Sequence, residues 1–143
     1  MDRQRARPSS PRPIVLIVDD DADTREVFTV GLSAFGFEAT AVGDAMQAYT
    51  RARQTHPDIV MTDLSLPRID GWKLLQHLKG DPKTRDIPVV FLTGHAQPSV
   101  RDRAKREGCA ALFVKPCLLD ALALALHNLI DGNPADGRAW TRS

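Results

Sequence analysis

The chain has 143 residues, 43% of them hydrophobic, and a formal net charge of +1 at pH 7. This size and composition suit one domain that buries roughly two-thirds of its unfolded surface. The nearly neutral charge argues against a nucleic-acid or anionic-membrane partner bound by whole-protein electrostatics. No apolar run approaches the roughly 20 residues of a transmembrane helix, and no secretory signal opens the chain, so we expect a cytoplasmic protein.

Two polar segments flank the central part of the chain. Residues 1–12 contain four arginines and two prolines with hardly an apolar side chain. Such a segment cannot bury enough surface to offset the entropy of ordering, so we predict a disordered basic tail. The run Asp131-Gly132-Asn133-Pro134 ends a helix and starts a linker, so residues 132–143 are predicted to be a flexible tail. The domain is therefore predicted over residues 13–131.

The two cysteines, Cys109 and Cys117, are too few and too poorly spaced for a zinc site. Free cysteine commonly behaves as a small buried hydrophobe. Both are therefore interpreted as packing residues, and a domain of this size needs no disulfide scaffold.

The first part of the predicted domain alternates strands and helices, with the rhythm of βαβ units and a parallel sheet. Residues 14–18 form an unbroken aliphatic run, typical of a strand that helices cover on both faces. Residues 23–35 carry apolar side chains at helical spacing and end before Gly36, a helix stop. A second strand is predicted over residues 38–42, and one face of the next helix is apolar: Ala45, Ala48, Tyr49 and Ala52.

The same alternation continues to the end of the predicted domain. A third strand at residues 59–62 precedes a helix over 71–79, and a fourth strand spans 88–92. The fourth helix, residues 99–107, is nearly all charged with a thin apolar stripe, so we expect it to be mobile. A fifth strand at residues 112–114 precedes a last helix with the inner face Leu119, Leu122, Leu126 and Ile130. These elements predict an α/β fold, a doubly wound five-stranded parallel sheet with five helices.

Polar residues follow four of the five predicted strands. They are Asp19, Asp20 and Asp21 after the first strand, Asp63 after the third, Thr93 and Gly94 after the fourth, and Lys115 and Pro116 after the fifth. In open sheets of this kind, ligands bind beyond the carboxyl ends of the strands, near the point where strand order reverses. Acidic groups, a hydroxyl and an ammonium are therefore predicted to converge on one rim of the sheet.

That set of groups suits phosphoryl transfer. Carboxylates held close together repel one another, and a hard divalent cation such as Mg²⁺ relieves the repulsion and keeps positions open for phosphate oxygens. Lys115 and Thr93 suit the stabilisation of charge on a transferring phosphoryl group. A central carboxylate can itself be the nucleophile, giving an aspartyl phosphate. The predicted geometry favours Asp63 for that role.

Each of these residues also has a purely structural explanation. The three aspartates after the first strand could form a solvated loop or a helix cap, because aspartate is common at caps. Asp63 could be a loop carboxylate and Lys115 an ordinary surface lysine, and Thr93 could satisfy its own turn. Their joint placement at successive strand ends favours the functional interpretation.

Four motifs, in this order, resemble the response-regulator receiver family of two-component signalling. They are residues 18–21 (VDDD), 58–71 (DIVMTDLSLPRIDG), 91–94 (FLTG) and 114–116 (VKP). The resemblance extends from Pro13 to Ile130. It implies the flavodoxin-like receiver fold of a stand-alone, chemotaxis-regulator-like domain.

The resemblance also implies a metal site. Mg²⁺ is expected to be bound by Asp20, Asp63 and the backbone carbonyl of Ser65, while Asp19 acts through water. No other cofactor is implied.

The chemistry implied by the resemblance is transfer of a phosphoryl group to Asp63 from a histidine kinase or histidine phosphotransfer protein. Thr93 and Lys115 are expected to contact the phosphoryl oxygens, and the bond before Pro116 is expected to be cis, as proline permits. Only self-phosphorylation and slow autodephosphorylation are implied, so we do not expect an enzyme in the usual sense.

In the family, phosphorylation draws the threonine-type hydroxyl inward, and an aromatic residue on the fifth strand moves with it. This movement reshapes the face made by the fourth helix, fifth strand and fifth helix. Leu112 occupies that position here, and Phe113 points to the opposite side of the strand. Whether the switch works with Leu112 stays open. Ser65 and His95 stand where the family tunes the lifetime of the phosphoryl group, with a solvated loop histidine as the alternative for His95.

Three other functions compete with this interpretation. A phosphorylation-independent interaction domain is favoured by Leu112 alone. An aspartyl-nucleophile phosphohydrolase commonly places a second acid two residues after the nucleophile, where this chain has Ser65. Nucleic-acid binding by the basic fourth helix is disfavoured, because acidic residues interleave and stacking aromatics are missing. That face is predicted to bind a protein target. The kinase, the target, dimerisation through that face and membership of a larger regulator stay open.

Overall fold

The structure, a computed structural model that describes residues 11–94 and 96–132, alternates strands and helices along the chain. The strands are β1 (Ile14–Val18), β2 (Glu38–Val42), β3 (Ile59–Thr62), β4 (Val89–Thr93) and β5 (Ala111–Val114). The helices are α1 (Ala22–Ala34), α2 (Ala45–Thr55), α3 (Gly71–Gly80), α4 (Pro98–Arg106) and α5 (Leu119–Ile130). All strands pair in parallel in one sheet of order β2-β1-β3-β4-β5. The predicted fold class is confirmed.

The strand bounds agree closely with the sequence prediction. β1, β2 and β3 have the predicted bounds, while β5 starts one residue earlier. β4 lies one residue later than predicted, so Thr93 is its last residue and not the first residue after it. The reason is that pairing with β5 continues to this point: Thr93 lies opposite Val114, and its carbonyl accepts a hydrogen bond from the Lys115 N–H at 2.8 Å.

Local capping explains where the helices begin and end. α1 begins at Ala22 because the Asp21 carboxylate accepts a hydrogen bond from the Thr24 N–H at 2.8 Å. After α1 ends, Gly36 takes a φ of 97°, a conformation that glycine adopts without strain. α4 begins at Pro98, one residue before the predicted start, because proline suits the first turn of a helix.

Two hydrophobic cores lie on the two faces of the sheet. The first core contains Leu16, Val60, Phe91 and Leu112 from the strands, covered by α2, α3 and α4. The second contains Val15, Ile17, Met61, Leu92 and Phe113, covered by α1 and α5. Consecutive strand residues therefore alternate between two buried faces, which explains why these strands are almost wholly hydrophobic. Leu112 and Phe113 lie on opposite faces, as predicted.

The packing of α4 is thin. Ala104 is its one buried residue, and Val100 is partly buried against the first core. The rest of the helix is polar, with four basic side chains between residues 101 and 106. α4 therefore has little apolar area holding it to the sheet.

The two cysteines differ in their surroundings. Cys109 is buried, and its Sγ donates a hydrogen bond to the Ala111 carbonyl at 2.9 Å. Burial raises the pKa of this thiol to about 12. Cys117 is half-buried, and burial raises the pKa of its thiol as well. Both cysteines pack against a core, as expected.

We expect iodoacetamide at pH 8 to label Cys117 well before Cys109. With a pKa of about 12, about one Cys109 thiol in ten thousand is ionised at pH 8. The folded state retains this proton above the ordinary thiol pKa, so Cys109 also makes the protein less stable as pH rises from 9 towards 12. Peptide mass spectrometry of timed samples measures the labelling. Equal labelling rates in the folded protein would contradict the prediction, and a sample unfolded in urea provides the control.

The topology brings the carboxyl ends of all five strands to one rim. From β1 the chain moves outward to β2 and then crosses to β3 on the other side of β1. Strand order therefore reverses between β1 and β3, where ligands bind in open sheets.

Across the described ranges, none of the helices has the length and hydrophobicity that crossing a membrane requires. The predicted tails at residues 1–12 and 132–143 lie almost wholly outside those ranges and stay predictions.

Candidate functional site

The three aspartates after β1 have different environments. Asp19 is buried, and its Oδ1 accepts a hydrogen bond from the Asp21 N–H at 2.9 Å. Asp20 is exposed. Asp21 caps α1, and its hydrogen bonds to Thr24 lower the pKa of its carboxyl group. The helix-cap explanation therefore holds for Asp21, which leaves Asp19 and Asp20 for the rim.

Asp63 lies directly beyond β3, beside the point where strand order reverses. Its N–H donates to the Val18 carbonyl at 3.1 Å, which continues the ladder with β1. Its Oδ1 accepts a hydrogen bond from the Ser65 N–H at 3.0 Å, and its Oδ2 accepts one from Lys115 Nζ at 3.1 Å. The carboxylate thus has a fixed orientation at the rim.

Lys115 joins two of the predicted acidic residues. Its Nζ lies 3.1 Å from Asp63 Oδ2 and 3.3 Å from Asp19 Oδ2. Burial lowers the pKa of this ammonium group, but the hydrogen bond and charge of Asp63 and the charge of Asp19 raise it, and the net shift is upward. Lys115 therefore stays charged at neutral pH and partly neutralises the two carboxylates. The Lys115–Pro116 peptide bond is cis.

The loop from Asp63 to α3 is closely packed at its end. The Gly71 N–H donates to the Leu64 carbonyl at 2.9 Å, and Asp70 caps α3 by accepting from the Lys73 N–H at 3.0 Å. A Cβ atom at Gly71 would lie 2.6 Å from the Asp63 carbonyl oxygen and 2.9 Å from Leu64 Cα. Only glycine fits here, so the start of α3 is in direct contact with the backbone of Asp63.

The other predicted site residues are placed as follows. Thr93 is buried at the end of β4, and its carbonyl accepts from the Lys115 N–H. Ser65 is exposed two residues after Asp63. Leu112 is fully buried in the first core. His95 lies outside the described residues, so its tuning role stays a prediction.

Two arginines near the rim were missed in the sequence analysis. Arg25 Nη1 donates to the Asp19 carbonyl at 2.8 Å. Arg68, in the loop after Asp63, forms an ion pair with Asp44 at 3.2 Å and has a φ of 65°. Asp19 precedes Arg25 by six residues in the same β1–α1 segment, whereas Asp44 precedes Arg68 by 24 residues and lies after β2. Neither contact follows the spacing of a helix or a strand, so no local pattern indicates it. The Arg68 contact ties the loop after β3 to the loop after β2.

The donor atoms at the rim fit a magnesium ion. Within the described ranges, no group of three or more His, Cys, Asp or Glu side chains is arranged to hold a metal ion. Mg²⁺ does not need such a group, because it keeps several waters and uses one or two carboxylates. Asp63 and the neighbouring aspartates after β1 supply hard oxygen ligands of that kind. The predicted ligand set of two carboxylates and a backbone carbonyl stays a prediction.

Comparisons with known proteins agree with this fold and site. Residues 15–127 match the family model of the response regulator receiver domain. The polar-differentiation response regulator DivK of Brucella ovis is 32% identical over 102 residues, covering 71% of this chain and 83% of DivK. The signal receiver domain of a histidine kinase from Syntrophus aciditrophicus is 30% identical with a TM-score of 0.76, covering 87% of this chain and 94% of that domain.

A third relative carries a metal. The receiver domain of a Pseudomonas aeruginosa sensor histidine kinase was solved with a magnesium ion coordinated in its active-site cleft. It is 25% identical with a TM-score of 0.77, and the match covers 84% of this chain and 98% of that domain. The metal belongs to that protein, whose fold this chain shares.

The chain belongs to the response regulator receiver domain family. It is a receiver domain of two-component signal transduction, and phosphorylation on aspartate is the function of this family. Receiver domains bind Mg²⁺ in the active site and interact with histidine kinases and downstream effectors. They are generally not enzymes. The predicted family and general function are confirmed.

Proposed function

We propose that Asp63 accepts the phosphoryl group of this receiver, in a Mg²⁺-dependent reaction with a histidine kinase or histidine phosphotransfer protein as donor. The observation that carries the proposal is the contact of Lys115 Nζ with Asp63 Oδ2 at 3.1 Å, at the point where strand order reverses. A carboxylate held beside a fixed ammonium group at this rim is placed to react with a phosphoryl donor.

The choice of Asp63 over the neighbouring aspartates rests on exposure and position. The Asp19 side chain is 8% exposed, and its Oδ1 is taken up by the Asp21 N–H. The Asp63 side chain is 15% exposed and follows the central strand, between β1 and β4. Asp63 is therefore the more accessible of the two carboxylates that Lys115 contacts.

The metal would be held by Asp20, Asp63 and the backbone carbonyl of Ser65, with Asp19 acting through water. When bound, Mg²⁺ supplies positive charge that brings phosphate oxygens to an acidic rim. Lys115 neutralises part of the charge of Asp63, while Asp20 is exposed after β1.

In the transfer step, an Asp63 carboxylate oxygen forms a bond to phosphorus while the bond from phosphorus to the donor breaks. Lys115 Nζ is proposed to contact the carboxylate first and the phosphoryl oxygens after transfer, because the negative charge moves to those oxygens. The Thr93 hydroxyl is proposed to donate a hydrogen bond to the same oxygens. The leaving histidine imidazole keeps the electron pair of the broken bond. Hydrolysis of the aspartyl phosphate by water restores Asp63, and Ser65 and His95 are proposed to tune its rate.

The proposed output is altered binding of a protein partner through the face of α4, β5 and α5. The activity of the domain is limited to its own phosphorylation and slow dephosphorylation. One observation favours a phosphorylation-independent interaction domain instead: Leu112, fully buried and aliphatic, stands at the position of the switch aromatic.

Incubation with acetyl phosphate and Mg²⁺, followed by intact mass spectrometry, tests the proposal. We expect one phosphoryl adduct that disappears with EDTA and in Asp63→Asn. Asp58→Asn is a matched control, because Asp58 lies at the amino end of β3 and binds the Ile14 N–H at 2.7 Å. An adduct that persists in Asp63→Asn would contradict the choice of residue. The absence of any adduct, together with no binding of Mg²⁺, would favour the interaction domain.

A further inference from the structure

An arginine of α4 stacks on a tryptophan of α3. The Cζ atom of Arg103 lies 4.2 Å from the centroid of the Trp72 ring. Arg103 Nε donates to Glu107 Oε2 at 2.6 Å, and Gln76 Nε2 of α3 donates to Glu107 Oε1 at 3.5 Å. The hydrogen bond from Arg103 is also the main reason that the pKa of Glu107 is lowered. We call these four residues the α3–α4 clamp.

The clamp adds polar and stacking contacts to the few apolar contacts of α4. The apolar contacts of α4 come from Ala104, which is buried, and Val100, which is partly buried. A guanidinium over an indole face is among the more favourable cation–π contacts, and an Arg–Glu pair at i,i+4 adds to it. The position of α4 is therefore sensitive to the position of the Trp72 ring.

The Trp72 ring also contacts Phe91 of the sheet. Trp72 packs edge-to-face on Phe91, with ring centroids 5.0 Å apart and an interplanar angle of 77°. Phe91 is fully buried and lies two residues before Thr93 on β4, so both side chains face the same side of the sheet. Its strand partner in the β4–β5 register is Leu112. An aromatic residue thus lies beside the position where β5 carries leucine.

Trp72 is also next to the acceptor loop in sequence. It follows Gly71, which approaches the Asp63 carbonyl so closely that a Cβ atom would not fit. The backbone at Asp63 or Leu64 therefore cannot shift towards α3 unless Gly71 shifts as well. Trp72 is the next residue of the same helix, so a shift of Gly71 would also move the Trp72 ring.

We propose that the contact between Trp72 and Arg103 couples the state of Asp63 to the position of α4. This inference rests on the proposed phosphorylation of Asp63. The aspartyl phosphate carries about −1.5 to −2 charges, where the free carboxylate carries −1, beside Lys115 and the loop that ends at Gly71. The loop adjusts, the Trp72 ring shifts against Phe91, and Arg103 loses its stacking position. α4 then changes its exposure, because it has few apolar contacts with the sheet.

A variant with one tryptophan makes the coupling visible. The chain has two tryptophans, so Trp140→Phe leaves Trp72 as the sole tryptophan, which excitation near its red edge selects over Tyr49. With acetyl phosphate and Mg²⁺, we expect Trp72 fluorescence to change in proportion to the phosphoryl adduct, measured by intact mass in the same samples. Hydrogen exchange of the amides in residues 98–106 is expected to become about fivefold faster over the same time course.

Arg103→Gln in this background tests the clamp, and Arg106→Gln removes the same charge from an exposed position of the same helix as a control. Arg103→Gln should form the adduct normally, exchange α4 amides about fivefold faster before phosphorylation, and show little further change after it. Arg106→Gln should behave as its parent.

If the α4 amides exchange at the same rate in unphosphorylated Arg103→Gln and Arg106→Gln, the clamp does not hold α4, whether or not an adduct forms. A full adduct without a change in Trp72 fluorescence overturns the coupling. A missing adduct refutes phosphorylation itself and with it the coupling, and the mass measurement separates that outcome from a broken clamp.

Discussion

Replacing Lys115 with methionine is expected to slow phosphorylation by acetyl phosphate by about two to three orders of magnitude. The same change is expected to tighten Mg²⁺ binding about three- to tenfold. The two effects have opposite signs because the positive charge of Lys115 attracts the phosphoryl group and repels Mg²⁺. Its Nζ lies 3.1 Å from Asp63 and 3.3 Å from Asp19, where it stabilises a phosphoryl group but repels a cation.

Initial rates from intact mass spectrometry and Mg²⁺ affinities from titration calorimetry measure both effects of Lys115→Met. Lys83→Met is the matched control, since Lys83 is exposed in the loop before β4, at the opposite end of the sheet. We expect that variant to match the parent in both measurements. Phosphorylation at the parental rate in Lys115→Met would show that the ammonium group has no part in the transfer.

Gly71→Ala is expected to lower the rate of phosphorylation at least tenfold, although alanine favours helices. The new Cβ would lie 2.6 Å from the Asp63 carbonyl oxygen and 2.9 Å from Leu64 Cα. Both atoms belong to the backbone, so the acceptor loop must move and Asp63 moves with it. Small displacements of a reacting group can cost factors of this size or more. The rate of adduct formation at saturating Mg²⁺ is the measurement.

Gly80→Ala separates this effect from helix propensity. Gly80 is the other glycine of α3, and a Cβ atom there would have no heavy atom within 4 Å. We expect Gly80→Ala to phosphorylate normally and to gain up to about 1 kcal/mol in free energy of unfolding. If Gly71→Ala phosphorylates as fast as Gly80→Ala, the close approach at Gly71 does not position the acceptor.

The parallel sheet could be predicted because β1, β3, β4 and β5 are buried on both faces. Such strands are runs of almost only apolar residues, so the bounds of β1 at residues 14–18 and β3 at residues 59–62 follow from the sequence alone. The period of two in a strand also placed Leu112 and Phe113 on opposite faces. Thr93 was placed one position outside its strand because pairing with β5, a long-range contact, decides where β4 ends.

The polar residues at the rim could be predicted for the same reason. In a parallel sheet the residues after successive strands meet at one edge, so Asp19, Asp63 and Lys115 were expected together before their distances were known. Asp21 was expected there too, but its side chain caps α1. A capping aspartate and a site aspartate follow a strand in the same way, and only their hydrogen bonds separate them.

Contacts between elements distant in sequence could not be predicted. Arg103 reads as one of several exposed basic residues of α4 until the structure places the Trp72 ring 4.2 Å from its guanidinium. Arg68 and Asp44 likewise belong to two loops that only the crossover brings together. These contacts depend on the relative positions of packed helices and loops, which local patterns do not encode.

Borohydride reduction of the modified protein identifies the residue that carries the phosphoryl group, which we propose to be Asp63. An aspartyl phosphate is an acyl phosphate, which borohydride reduces to homoserine, while unmodified aspartate is left intact. Peptide mass spectrometry then locates the residue. We predict homoserine at position 63 alone, formed only when Mg²⁺ and acetyl phosphate are both present. Homoserine at position 19 or 20, or a phosphoryl adduct that yields no homoserine, would contradict the assignment of Asp63.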